Sequence, residues 1–282
     1  MESGETQVEE ALECIPFDQL PISLPNPSDT LEVSLNMILS EKWQDTYNAI
    51  TNCRILLKSY SEILIPKLSL LINPMGKSID SLRSQLAKNA VLFYQELSLI
   101  KDNELVSTHI GTMLSLLLKV SISSKKFLAK EVDLCLFNAS QNCVTEKMIL
   151  EFCKGTKSAS NPMCIKSAKL LAEACGNLST LGVIIQSMNL LLETISHLIY
   201  QGKKPQSSSA IEGVNKLINK FSKAELETII KSSELNQKMK EILLKQLTGE
   251  SKHIKEEVSF KEFIKMKKLK DIKESDATTN EI

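Results

Sequence analysis

An all-α solenoid of about six two-helix units is the fold this sequence predicts, and three observations predict it. Apolar residues recur at helical spacing, and no stretch alternates like a strand between hairpin turns. The composition is 43% hydrophobic but only 5% aromatic, and its few Gly and Pro mostly fall between periodic segments. Short basic loops sit near Lys42, from Lys77 to Arg83, from Lys119 to Lys126, from Lys157 to Lys166 and at Lys203 and Lys204. Their pitch is roughly forty residues, the length of a HEAT-type helix pair. Stacked pairs put equivalent loops on one edge, so the sequence predicts a positive ridge there.

Taken in order, residues 1–30 begin acidic and then carry Pro16, Pro21, Pro25 and Pro27, which predicts a disordered or extended segment. Ile15 to Pro21 reads as linker, with a short docking motif as the alternative. Helical spacing starts near Leu31. Trp43, Tyr47, Ile50, Leu56 and Leu57 suit one amphipathic helix; Ile63, Leu64, Leu68, Leu71 and Ile72 suit its partner, which Asn73-Pro74-Met75-Gly76 is expected to stop. Ser78 is the expected cap of the next helix, whose face is Leu82, Leu86, Ala90, Phe93 and Leu97. Ile110, Met113, Leu114 and Leu117 define another. Ser123 or Ser124 is the expected cap of a helix through Phe127, Leu128, Val132 and Leu136, and Met148, Ile149 and Phe152 follow. Ser160-Asn161-Pro162 opens a helix with Pro near its first position and Ile165, Ala168, Leu171, Ala172 and Cys175 on its face.

The apolar run Val183 to Tyr200 is broken by Gln186, Asn189, Glu193 and His197, and reads as a buried core helix rather than a membrane span. Helices resume at 211–221, 223–231 and 235–247. The repeat region is expected over residues 31–248. Residues 249–282 form a Lys-rich tail, in which Phe260, Phe263 and Ile264 share helical spacing with Lys261, Lys265, Lys267, Lys268 and Lys270. That helix either caps the last repeat or binds a partner or a surface; the last ten or so residues are expected to be disordered.

A net charge of zero conceals an asymmetry. Residues 1–39 hold eight acids and no Lys or Arg, whereas residues 40–248 hold 26 bases and 18 acids, so an acidic partner is expected for the middle of the chain. The seven cysteines are odd in number, form no CxxC pair and mostly occupy apolar helical positions; with no signal peptide they predict a reducing compartment. No GxxxxGK[ST], GxGxxG or HExxH motif is present, and His109, His197 and His253 fall on separate units, His197 reading as a core residue. The expectation is a non-catalytic protein with no cofactor and no metal.

At the second loop the residues become specific. Ser81-Leu82-Arg83-Ser84-Gln85-Leu86-Ala87-Lys88-Asn89-Ala90 resembles the Asp-Leu-Arg-Ser-x-Val-x-Lys-x-Ala stretch of TOG domains, the crescerin and CLASP varieties above all. Glu41-Lys42-Trp43-Gln44-Asp45 is similar to the first TOG loop with its Trp. Ser124-Lys125-Lys126-Phe127-Leu128, with Asp133 and Leu136, is similar to the third loop, and Asn161-Pro162-Met163, with Ala168 and Leu171, to the fourth. The resemblance covers roughly residues 35–248. It implies binding of αβ-tubulin or microtubules along the loop edge, at cytoplasmic, ciliary or centrosomal microtubules. Trp43 would lie against tubulin, Arg83 and Ser84 would make polar contacts, and Lys42, Lys77, Lys125, Lys126, Lys166, Lys203 and Lys204 would extend the ridge. The sequence departs from the pattern at Ser81, where the family has Asp, and at Ala129 and Ile165, where it has Arg. Lys cannot replace a bidentate guanidinium, so the first half of the ridge carries the expectation. The competing class is a HEAT-type scaffold for another acidic or helical segment; nucleic acid is not expected, because aromatics do not interleave with the bases.

Overall fold

The computed structural model describes residues 12–249 apart from Ser124, Ile185, Lys204 and the side chain of Val183. The chain is an all-α repeat solenoid, with no strand among the described residues. It divides into two compact units, Met1–Met188 and Asn189–Ile282. The expected tail helix around Phe260 lies outside the described residues.

In the first unit, α2 (Trp43–Ser59), α5 (Ser84–Leu97), α7 (Lys126–Asn142) and α9 (Asn161–Asn177) form one layer, each packed on the next. A second layer holds α4 (Leu68–Ile79), α6 (Glu104–Ser121) and α8 (Glu146–Thr156). α1 (Pro27–Met37) flanks α2, and α3 (Ser61–Leu64) with a 3₁₀ turn leads into α4. The core includes Leu56, Met75, Phe93, Tyr94, Leu114, Leu117, Leu136 and Phe152, all 0% exposed. Fully burying such side chains contributes about 1.5–3 kcal/mol each.

Four turns of one shape start the helices of the first layer. Each has a serine two places before the N-cap, and its hydroxyl accepts the cap's backbone N–H: Ser40 from Lys42 (3.1 Å), Ser81 from Arg83 (3.1 Å), Ser123 from Lys125 (3.3 Å) and Ser158 from Ser160 (3.2 Å). The cap dihedrals nearly repeat: φ/ψ −78°/114°, −78°/106°, −74°/71° and −80°/112°. Since the layer helices all start from such turns, the four loops share one edge. The opposite edge uses other caps: Asn103 accepts from Val106 N–H and Thr145 from Met148 N–H.

Several expected boundaries moved. Pro74 does not stop its helix; α4 runs through it to Ile79, because Met75 and Ile79 continue the buried stripe. The ring leaves Leu70 C=O without its intrahelical donor, and Leu70 lies on an exposed turn where water can serve. Ser78 is therefore no cap but a buried residue of α4, whose hydroxyl donates to Pro74 C=O. Leu82 and Phe127 leave the predicted core faces and are exposed, because the helices start after them or just before. Ser123 is not the cap either: it acts two residues before the Lys125 N-cap, within the turn itself. The Val183–Tyr200 run is not one helix: a 3₁₀ turn over Leu181–Ile184 precedes α10 (Met188–Gln201).

The largest departure is at the N-terminus. Residues 12–26, expected within a disordered or extended stretch, form a strap along the furrow between α2 and α5. Its main-chain carbonyls accept from Tyr47 OH at Glu13 (2.8 Å), from Arg54 Nη2 at Ile15 (2.8 Å), and from Lys58 Nζ at Asp18 (2.9 Å) and Leu20 (2.7 Å). The Cys14 thiol donates to Gln85 of α5. Leu20 is 2% exposed, and Lys58 stands over the Phe17 ring. Phe17–Gln19 make one 3₁₀ turn between extended backbone at Pro16 and Leu20; the prolines forbid long helix, and Pro27 then occupies the first turn of α1, four residues ahead of the expected start.

The second unit contains most of α10 (Met188–Gln201), with α11 (Gln206–Lys220), α12 (Lys223–Ser232) and α13 (Gln237–Thr248). Ser222 and Asn236 cap α12 and α13 through Glu225 and Met239 N–H. Leu191, Ile195, Leu217, Ile230 and Leu243 are buried. His197, expected in the core, is exposed beside Gln201.

Candidate protein-binding edge

The loop edge of the first unit brings together the first four basic segments. Trp43 opens α2 half-buried, its ring edge-on to Tyr47 at 6.5 Å and 78°. The Arg83 guanidinium stands 5.5 Å from the indole centroid, a cation–π contact between neighbouring loops. Lys125 reaches back to the preceding loop, its Nζ donating to Ser81 C=O at 3.2 Å. Lys166 repeats that move one unit on, donating to Ser121 C=O at 2.9 Å and pairing with Asp133. The edge is thus laced: bases of one unit satisfy the carbonyls or ring of the unit before.

This lacing sorts the sequence-predicted residues. Lys42, Arg83, Ser84 and Lys126 are exposed in or beside the loops, and Lys77 is exposed in the last turn of α4. Lys125 and Lys166 are half-buried and turned along the edge. Lys203 is exposed in the second unit, and Lys204 lies outside the described residues. Ala129 and Ile165, where the resemblance expects arginines, add no charge.

Sequence reasoning missed the apolar part of the edge. Leu82, between Ser81 and Arg83, is 97% exposed, and Leu39 in the first loop is 73% exposed. Phe127 at the third loop is exposed as well. These exposed side chains make the edge a candidate contact surface. The available signal was Leu82 inside a Ser-x-Arg turn, but helical spacing assigned it to the core.

Beneath the strap lies a second feature that sequence reasoning missed. Arg54 is 0% exposed and Glu96 4%. Arg54 Nε donates to both Glu96 carboxylate oxygens at 2.9 Å, and Nη1 to Asn89 Oδ1 at 2.9 Å. Asn89 Nδ2 donates on to Tyr47 C=O and Thr51 Oγ1. Burial pushes the Glu96 carboxyl above its ordinary range, while the Arg54 bonds and charge pull it back. Among the described residues no group of His, Cys, Asp and Glu could hold a metal ion, and no helix is long and apolar enough to cross a membrane.

No family model matches the chain, and no curated protein matches it. Solved structures that it resembles include an engineered protein, at 12% identity over 78% of this chain and 97% of that one, with a TM-score of 0.42. Two designed armadillo repeat proteins, each 16% identical, are similar over 77% of this chain. The first is covered over 99% of its length at a TM-score of 0.41; the second, solved with the peptide (KR)4, over 98% at 0.40. Likenesses this shallow say nothing about what the chain binds.

Proposed function

We propose that this chain is a non-catalytic helical-repeat scaffold whose loop edge binds a protein surface that is acidic and partly apolar, and that αβ-tubulin or the microtubule lattice is that surface. The reading rests on one observation: Leu39, Trp43, Leu82 and Phe127 share an edge with Lys42, Arg83 and Lys126. Apolar anchors ringed by Arg and Lys make an interface core with a charged rim. Bases on the rim speed encounter with an acidic partner. Tubulin enters through the resemblance of the same loops to TOG domains, and cytoplasmic, ciliary or centrosomal microtubules with it.

The contact centres on the first two loops, because Lys166 is neutralised by Asp133 and Lys125 is turned onto Ser81. That narrowing also supports the second reading, a scaffold for a different acidic segment. Size-exclusion co-migration with purified αβ-tubulin separates the two. The full chain co-migrates, and the Trp43→Ala/Arg83→Ala double variant, with helicity unchanged by circular dichroism, does not. Absence of co-migration by the wild-type chain refutes tubulin, and co-migration unchanged in the double variant refutes the site.

A further inference from the structure

Between α7 and α9 lies an open, mostly apolar groove of about 460 Å³. Its walls include Leu136 and Phe137 from α7 and Pro162, Ile165 and Leu170 from α9; Asp133, Lys166, Lys169 and Glu173 complete the lining. Phe137 is 38% exposed on this wall.

Register identifies what kind of groove this is. The four turns start their helices alike, so positions can be counted from each N-cap. In the α2/α5 furrow that holds the strap, Gln85, Asn89 and Glu96 lie two, six and thirteen places after the Arg83 cap. Two, six and thirteen places after the Ser160 cap come Pro162, Lys166 and Glu173, and all three line the open groove. Arg54, which holds the Ile15 carbonyl, lies twelve places after the Lys42 cap. Twelve places after the Lys125 cap comes Phe137, again on the wall. The α7/α9 groove is therefore the repeat equivalent of the furrow that the chain fills with its own N-terminal strap.

Substitution has changed its chemistry. The buried Arg54–Asn89–Glu96 network gives way to Phe137, Lys166 and Glu173, with Lys166 tied to Asp133 at the rim. The guanidinium of the floor is replaced by an aromatic ring, while the two α9 positions are charged. Lys169, exposed on α9, lines the groove and can donate to main-chain carbonyls of a peptide.

We propose that the α7/α9 groove binds a proline-flanked, non-helical segment of a partner protein, of the Ile-Pro-Phe-x-x-Leu-Pro kind with its single 3₁₀ turn, two apolar side chains being seated on Phe137 and Ile165. The chain's own strap shows the chemistry that fits: main-chain carbonyls met by side-chain donors, one aliphatic residue buried, and prolines flanking a single 3₁₀ turn at Phe17–Gln19. A proline-stiffened peptide loses less entropy on binding than a flexible one. The site is separate from the loop edge and does not depend on the tubulin reading.

The test uses the full chain and a fluorescein-labelled synthetic peptide carrying residues 12–24, read by anisotropy. Saturable binding is expected, weakened at least tenfold by Ile165→Asp and by Phe137→Asp, each of which keeps the wild-type melting temperature. Binding is also expected to fall at least tenfold when the probe carries Asp at its Phe17 and Leu20 positions, and to be unchanged by Trp43→Ala/Arg83→Ala. Absence of saturable binding overturns the proposal. So does binding that survives Ile165→Asp but is lost with Lys58→Ala, which places the probe in the strap's own furrow. A dimer of the full chain that Ile165→Asp dissociates also overturns it, because the groove then belongs to a second copy.

Discussion

Replacing Arg54 by Met removes the buried cation between α2 and α5 while leaving much of the packing volume. The structure sets the magnitude. Glu96, 4% exposed, loses both bonds from Nε and the one from Nη2, and no other hydrogen-bond donor to its carboxylate is present among the described contacts. Breaking a buried pair on one side costs about 3–5 kcal/mol. Asn89 Oδ1, also buried, loses its donor, which adds about 1–3 kcal/mol. The Ile15 carbonyl loses its bond too, but Ile15 is exposed and water can replace the guanidinium. These losses share one network, so their sum is an upper bound. Urea unfolding followed by tryptophan fluorescence measures the effect, since Trp43 is the only Trp in the chain and sits on the same helix as Arg54. That probe reports on the first unit even where the two units unfold separately. Arg54→Met/Glu96→Leu is expected to recover most of the loss, because removing both charges of a buried pair is often neutral. A single variant within about 1 kcal/mol of wild type, or a double variant no more stable than the single, refutes the claim that this pair is desolvated and coupled.

Other expectations follow from the same geometry. Gly155→Ala places a methyl 2.8 Å from Ser167 Cβ, so α8 and α9 must separate, at a cost of about 1–3 kcal/mol in urea unfolding. Gly76→Ala meets only the mobile end of Met113 at 2.3 Å and is expected to cost less than Gly155→Ala in the same assay. Leu20→Ala removes the strap's buried anchor and is expected to cost about 2–5 kcal/mol. Hydrogen exchange should then quicken over residues 12–24 before the α2 amides. Burial holds the Cys53 and Cys135 thiols up at about 12, so at pH 8 they remain thiols and resist iodoacetamide until the chain unfolds. Their alkylation in the native protein at pH 8 contradicts the burial. Leu82→Ser is expected to leave stability within about 0.5 kcal/mol, because the side chain touches solvent alone, while weakening tubulin co-migration.

Most of the helical framework was legible in the sequence, and the reason is local. Periodicity of Tyr47, Ile50, Leu56 and Leu57, or of Ile110, Met113, Leu114 and Leu117, is a property of a single helix facing one core, and those faces are buried as expected. The regular spacing of the basic loops likewise encodes the shared edge, because each turn is built from its own residues. What failed was the reading of residues whose surroundings come from elsewhere in the chain. Leu82 fits a helical stripe but precedes its helix; Pro74 should break α4, yet Met75 and Ile79 hold the following turn in the core. His197 follows an apolar pattern and still faces outward.

Local spacing by itself determined that this chain is all-α, repetitive and edged with base-carrying turns, since hydrophobic period and turn chemistry act over a few residues. The tertiary structure alone decided that Arg54 and Glu96 meet across forty-two positions of sequence and that an acidic, proline-bearing stretch lies down as a strap. It also decided that the equivalent furrow between α7 and α9 stays open. Such outcomes depend on which side chains two distant helices present to one another, and that becomes defined only once the layers have packed.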